Sequence, residues 1–170
     1  MIRKLALTAA AVGLLATPAL AADKLHVEIS KGCAFDIKLR SDLAPKHVAQ
    51  ITKLAQAGFY NGIVFHRVID GFMAQTGDPT GTGMGGSKEP DIKAEFSKEH
   101  FARGTVGMAR SSQPDSANSQ FFIMFADGGF LDGQYTVWGQ VDDKGMACVD
   151  QIERGEPPAN PDKMKKVTVQ

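Results

Sequence analysis

Apolar and polar positions alternate through Leu25-His26-Val27-Glu28-Ile29-Ser30, the period-two pattern of a half-buried strand. Lys31-Gly32 supplies a turn, and Phe35, Ile37 and Leu39 alternate with Asp36, Lys38 and Arg40 as the returning strand of a hairpin. The period then changes. Asp42 is placed to cap a helix, Pro45 suits its first turn, and Val48, Ile51, Leu54 and Ala55 recur at helical spacing until Gly58 ends it. Short β-like runs follow at 64–68, 73–76, 105–109, 121–125 and 137–141. A second helix is predicted over 144–154, with Asp142 and Asp143 ahead of it and Gly155 and Pro157 behind, and 167–169 forms a last strand. Eight short strands and two helices in irregular order disfavour a parallel α/β sheet. The predicted fold is mainly β: a closed eight-stranded antiparallel barrel capped by two α-helices.

The first 21 residues follow a different pattern. Arg3 and Lys4 precede an apolar run over 5–16, Pro18 breaks it, and Ala19-Leu20-Ala21 offers an A-x-A cleavage site. This is the layout of a secretory signal peptide cut after Ala21, and the run is shorter than the ~20 residues a membrane span needs. The expected organisation is a cleaved signal over 1–21 and one globular domain over 22–170, with no membrane contact after cleavage. Of 170 residues, 43% are apolar, enough for a sizeable core. Losing Arg3 and Lys4 from 19 basic residues leaves 17 against 19 acidic ones, a net charge of −2. The basic residues are scattered, so no footprint for nucleic acid is expected. With no coiled-coil pattern, a monomer is expected. Cys33 and Cys148 permit one disulfide in an oxidising compartment. Free cysteine is among the most buried residue types, however, and two buried, unpaired thiols are the expectation.

Several chemistries find no support. Gly81-Thr82-Gly83-Met84-Gly85-Gly86-Ser87-Lys88 lacks the order of a phosphate-binding loop and reads as a surface loop. His26, His47, His66 and His100 are dispersed without ligand spacing, so a metal site is not expected. No G-x-S-x-G elbow is present. The unusual stretch is 65–75, which places Arg67 and Gln75 on strands among large apolar residues. Alternation gives Phe65, Arg67 and Ile69 one facing, and Met73 and Gln75 a common facing on the next strand.

That stretch, F-H-R-V-I-D-G-F-M-A-Q-T-G-D over 65–78, resembles the signature of the cyclophilins. So do G-M-A-R at 107–110, N-S-Q-F-F-I at 118–123 and F-L-D-G-Q-Y-T-V-W-G-Q-V at 130–141, in the family's order and spacing. The resemblance extends from about Leu25 to the C-terminus. It implies a peptidyl-prolyl cis-trans isomerase that needs neither metal nor cofactor, with Arg67, Phe72 and Gln75 catalytic. Arg67 would donate to the prolyl nitrogen as its lone pair leaves resonance, and Gln75 would hold the guanidinium in place. Phe72, Met73, Phe122 and Leu131 would line the proline pocket. The backbone around Ala109 and Arg110 would bind the preceding residue, and Gln120 would extend the polar side of the groove. His66 and Trp138 are assigned to packing.

Three departures from the familiar eukaryotic members are informative. Phe130 stands where those carry a tryptophan, which keeps an aromatic face but removes an N–H donor, so cyclosporin A is expected to bind weakly. Tyr135 replaces a histidine on the rim, and Arg110 an asparagine. Asp70, in place of a loop proline, resembles bacterial members; with the signal peptide it points to the periplasm. The implied partners are proline-containing peptides and unfolded exported proteins. Two other readings stay open: a proline-binding module without isomerase activity, and a small barrel carrying an apolar ligand inside. The second would require Phe72, Phe122 and Leu131 to converge in a hollow interior.

Overall fold

A computed structural model describes residues 23–170, so the signal-peptide region at 1–21 lies outside the described residues. The first hairpin forms as its alternation predicts. Strands β1 (Lys24–Ile29) and β2 (Ala34–Leu39) pair antiparallel and send Leu25, Val27, Ile29, Phe35, Ile37 and Leu39 into the core. Helix α1 (Pro45–Gln56) buries Val48, Ile51, Leu54 and Ala55, the residues whose spacing announced it. Its cap is not the expected one. Ala44 occupies the cap position, and Asp42 is taken up by Arg40 at 2.9 Å. The free N–H groups of Lys46 and His47 donate instead to Glu95, from a loop far along the chain. His47 Nδ1 meets the same carboxylate at 2.6 Å; burial pushes the His47 pKa down, so a neutral ring donating one hydrogen bond fits this contact.

The remaining strands are β3 (Arg67–Ile69), β4 (Met73–Thr76), β5 (Thr105–Met108), β6 (Phe121–Met124), β7 (Val137–Val141) and β8 (Met164–Val169). All pair antiparallel, in the lateral order β3-β4-β6-β5-β7-β2-β1-β8. The strand count and the two helices agree with the sequence reading, but closure of the barrel does not. β3 and β8 are edges of an open half-barrel. Between them lie only the isolated bridges Val64↔Lys163 and Val68↔Gly155, with backbone bonds such as Phe65 N–H to the Asp162 carbonyl at 2.8 Å. The approach to β8 carries Pro157, Pro158 and Pro161, which have no N–H to donate, so a continuous ladder cannot form there. The predicted strand at 64–68 shortens and shifts for the same reason. Phe65 turns into the core, fully buried, rather than sharing the facing of Arg67.

Alternate residues of the central strands serve two apolar clusters. Ala74, Val106, Phe121, Ile123 and Trp138 belong to the large interior core with Tyr60, Phe65 and both helices. Met73, Phe122, Met124 and Val137 belong to a smaller cluster with Phe101 and Leu131. β5 and β6 are thus buried on both faces.

Helix α2 (Asp143–Val149) is capped by Asp142, whose carboxylate accepts from Gly145 N–H at 2.7 Å. It stops before the predicted residue 154. Beyond its end, Arg154 folds back and donates to the carbonyls of Asp150 and Ile152. Cys148 on α2 is joined to Cys33 by a disulfide, with Cα atoms 5.8 Å apart, which corrects the expectation of two free thiols. The sequence could not decide this because the partners are 115 residues apart and meet only when α2 packs on β2. A cross-link closing so long a loop restricts the unfolded chain, a contribution of about 2–5 kcal/mol. Urea unfolding of the oxidised protein and of the Cys33→Ser/Cys148→Ser variant should differ by an amount in that range. Equal midpoints would show that the bridge is not stabilising.

Candidate active site

Antiparallel register builds the site. Arg67 pairs with Gln75, Gln75 with Phe122, and Phe122 with Gly107, so residues from β3, β4, β6 and β5 form one lateral row. Gly107 is required by the ring it faces: a Cβ there would lie 2.5 Å from Phe122 Cζ and 2.6 Å from Phe101. One row away, Ile69, Met73 and Met124 are similarly aligned.

Every catalytic or substrate-binding residue that the resemblance implies, except Gln120, lines one groove of about 320 Å³. Phe72, Met73, Phe122 and Leu131 form its apolar wall, and Phe130, 65% exposed, leans on Phe72 with ring centroids 5.5 Å apart. These side chains gather around the smaller cluster and not in the interior, which Trp138, Tyr60 and Phe65 fill. The geometry is therefore an outer groove rather than a hollow barrel. Gln120 sits one hydrogen bond further on, where a neighbouring hollow of about 470 Å³ shares Gln75, Ala109 and Arg110 with the groove.

The polar side is a directed chain. Arg67 Nη1 donates to Gln75 Oε1 at 3.3 Å, Gln75 Nε2 donates to Gln120 Oε1 at 2.9 Å, and Gln120 Nε2 donates to the carbonyls of Gly83 and Gly85. Each amide is thus oriented by the next. The glycine loop, read from sequence as surface, anchors the far end of this chain. It is itself organised by buried Asp78, which accepts from Thr80, Thr82, Gly83 and Gly85 N–H groups and from the Thr80 hydroxyl. Burial alone would raise the Asp78 pKa, but these donors bring it down to about 2. An aspartate followed by threonines and glycines was the available signal, since such residues bond their own backbone two or more positions on.

Arg110, on the border between the groove and the neighbouring hollow, has its guanidinium engaged. It lies 4.4 Å over the Tyr135 ring and donates to the Gln134 carbonyl at 2.9 Å, while its backbone N–H and C=O meet no other described residue. Tyr135 stands edge-on to Phe122, with centroids 5.8 Å apart. His66 and Trp138 are buried as assigned; burial pushes the His66 pKa down and favours its neutral form.

Sequence reasoning missed two contributors. Glu156 accepts from Arg67 Nε at 2.8 Å across 89 positions, a separation that no local pattern spans. His100 bridges Asp127 and Asp132, each at 2.7 Å, and so ties together the two ends of the short 3₁₀ turn Gly129–Leu131 that carries Phe130 and Leu131. The same carboxylates accept from Gly129 and Phe101 N–H groups.

The groove thus combines an apolar wall, a tethered guanidinium and the unpaired backbone groups of Arg110. The family model described as cyclophilin type peptidyl-prolyl cis-trans isomerase/CLD matches residues 24–169. A protein of Brucella suis named "Probable peptidyl-prolyl cis-trans isomerase" is 58% identical over 150 residues, 79% of this chain and 76% of its own length. The peptidyl-prolyl cis-trans isomerase-like 1 of Aspergillus oryzae is 41% identical over 125 residues, covering 70% of this chain and 75% of that protein. Among solved structures, a cyclophilin from Hirschia baltica superposes with a TM-score of 0.78 at 28% identity, over 86% of this chain and 73% of that one. A Cryptosporidium parvum cyclophilin type isomerase, crystallised in the presence of the dipeptide Ala-Pro, also gives 0.78, at 26% identity over 86% and 98% of the two chains. The chain belongs to the cyclophilin-type peptidyl-prolyl cis-trans isomerases.

The two carboxylates, Asp132 first and then Asp127, raise the exposed His100 pKa from 6.5 to about 8. An imidazolium donates from both nitrogens, a neutral ring from one. The double clamp is therefore complete below the ordinary value and is lost as pH rises through about 8. A ring titration by NMR should place His100 near 8, with amide exchange over 127–132 accelerating across the same interval. A midpoint near 6.5 would remove the clamp.

Proposed function

We propose that Arg67 catalyses prolyl isomerisation by stabilising the twisted amide, in a protein exported to the periplasm where it assists the folding of other exported chains. The observation that carries the mechanism is the placement of Arg67, tethered by Gln75, on the wall of the same groove as Phe72, Met73, Phe122 and Leu131. Rotation about an Xaa-Pro bond is opposed by amide resonance, a barrier of about 18–20 kcal/mol, and no bond is made or broken. An enzyme accelerates it by favouring the twisted state over the planar one. In that state the prolyl nitrogen regains a lone pair and can accept a hydrogen bond. A guanidinium suits this role because it stays charged and its fork is rigid. The polar chain through Gln75 and Gln120 holds it in place beforehand, so little reorganisation is needed.

Phe72, Met73, Phe122 and Leu131 seat the proline ring, with Phe130 and Tyr135 at the rim. The unpaired backbone of Arg110, next to Ala109, receives the residue before proline, and Gln120 extends the polar side. The presence of Ala-Pro with the Cryptosporidium parvum relative supports this choice of ligand. A binding module without activity would not need the arginine to be held, so the tether favours the isomerase reading. Export is supported by the basic start, apolar run and A-x-A site, and by the Cys33–Cys148 bridge, since disulfides persist in oxidising compartments.

In a short Ala-Pro peptide assay, Arg67→Ala should lower kcat by about 10²–10³-fold with KM little changed, the cost of losing a preorganised donor. Equal rates would sink the mechanism. Cyclosporin A in the same assay should inhibit the wild type only far above stoichiometric amounts, and Phe130→Trp should tighten it; stoichiometric inhibition of the wild type contradicts the assignment of Phe130. Intact mass of the protein recovered from its own cells should begin at Ala22 and rise by two hydrogens on reduction. A mass retaining residues 1–21 would rule out cleavage.

A further inference from the structure

Arg67 is held from two sides. Gln75 accepts from Nη1 at 3.3 Å, and Glu156 Oε1 accepts from Nε at 2.8 Å. The segment bearing Glu156 is fixed independently of that contact. Val68 and Gly155 exchange two backbone hydrogen bonds of 2.8 Å, which docks the segment on β3 beside Arg67. Gly155 has φ +150°, and a Cβ there would approach Pro158 Cα to 2.5 Å, so the tight turn toward Glu156 depends on glycine. On the preceding side, Arg154 lies 4.0 Å over the Phe125 ring and donates to Asp70 at 3.2 Å.

The two tethers grip different atoms of one planar group. A single bond at Nη1 leaves the guanidinium free to swing about that contact. A second bond at Nε removes the swing and sets the plane. No described residue pairs with Nη2, so its two hydrogens stay available on the groove that Arg67 lines. Arg67 and Glu156 side chains are 42% and 53% exposed, so their ion pair adds little to overall stability. Its consequence is orientation.

We infer that Glu156 is a positioning residue for isomerisation, setting the plane of the Arg67 guanidinium so that its free donors face the proline pocket. This rests on the proposed role of Arg67. It adds an acidic residue from the C-terminal segment to the determinants of activity.

The test is the Ala-Pro assay on Glu156→Ala, Glu156→Gln, Arg67→Ala and the double variant Arg67→Ala/Glu156→Ala, with melting curves and the Arg67 Nε–H signal observed by NMR. Glu156→Ala should lower kcat about two- to fivefold, the scale of an exposed ion pair, with KM and melting temperature unchanged. Glu156→Gln keeps an oxygen that can accept from Nε and should recover most of the rate. In the Arg67→Ala background, Glu156→Ala should have no further effect. The Nε–H signal should exchange faster with solvent in Glu156→Ala than in the wild type or Glu156→Gln. Full activity of Glu156→Ala alongside an impaired Arg67→Ala would overturn the inference alone, as would a glutamine variant no better than alanine. An Arg67→Ala enzyme as fast as wild type would remove the Arg67 mechanism and this inference together.

Discussion

Antiparallel register across β3, β4, β6 and β5 is the constraint on which the site depends, because it alone sets Arg67, Gln75, Phe122 and Gly107 side by side. Side chains in a strand alternate between faces, so slipping one strand by a single residue would send its member of the row to the opposite face. The register is secured from the interior. Ala74, Ile123 and Val106, the neighbours of those row residues, are fully buried in the main core, and displacing them would expose apolar surface. The core thus holds the row that lines the groove on the far face of the same sheet.

Loops around this row are tied down by carboxylates as well as by apolar packing. Asp78 gathers the N–H groups of the glycine loop, Glu95 caps α1, and Asp127 with Asp132 holds the turn carrying Phe130 and Leu131. Loop backbones near the surface have unpaired N–H groups, and an ionised acceptor satisfies several at once with short, directional bonds. The edges of the groove are therefore tied by directed bonds although Phe130 on its border is largely exposed. A preformed edge suits a reaction whose whole barrier is a rotation, because a site that is already ordered need not reorganise as the bond turns.

The periodic elements were legible in the sequence. Hairpin β1–β2, helix α1 and most of the central strands follow from apolar spacing, because burial of one face imposes a period of two on strands and 3.6 on helices. The motifs around Arg67, Gln75, Gln120 and Phe130 also identified the groove residues, and all but Gln120 line one pocket. Boundaries were less accurate where a side chain from elsewhere intervenes. α1 is capped by Glu95 rather than Asp42, and α2 ends earlier than its apolar pattern suggests, with Arg154 bonded to carbonyls just beyond it.

Local order, the two helices, the antiparallel class and the identity of the groove residues were determined by the sequence alone, since each depends on residues close together or on motifs of definite composition. Tertiary structure decided what depends on distant partners. The half-barrel stays open because prolines before β8 interrupt a ladder that strand counting cannot test. Cys33 meets Cys148 only when α2 packs on β2, and Glu156 meets Arg67 only when residue 155 docks on β3. In each case the deciding contact spans more than eighty positions, where chain spacing carries no information about distance in space.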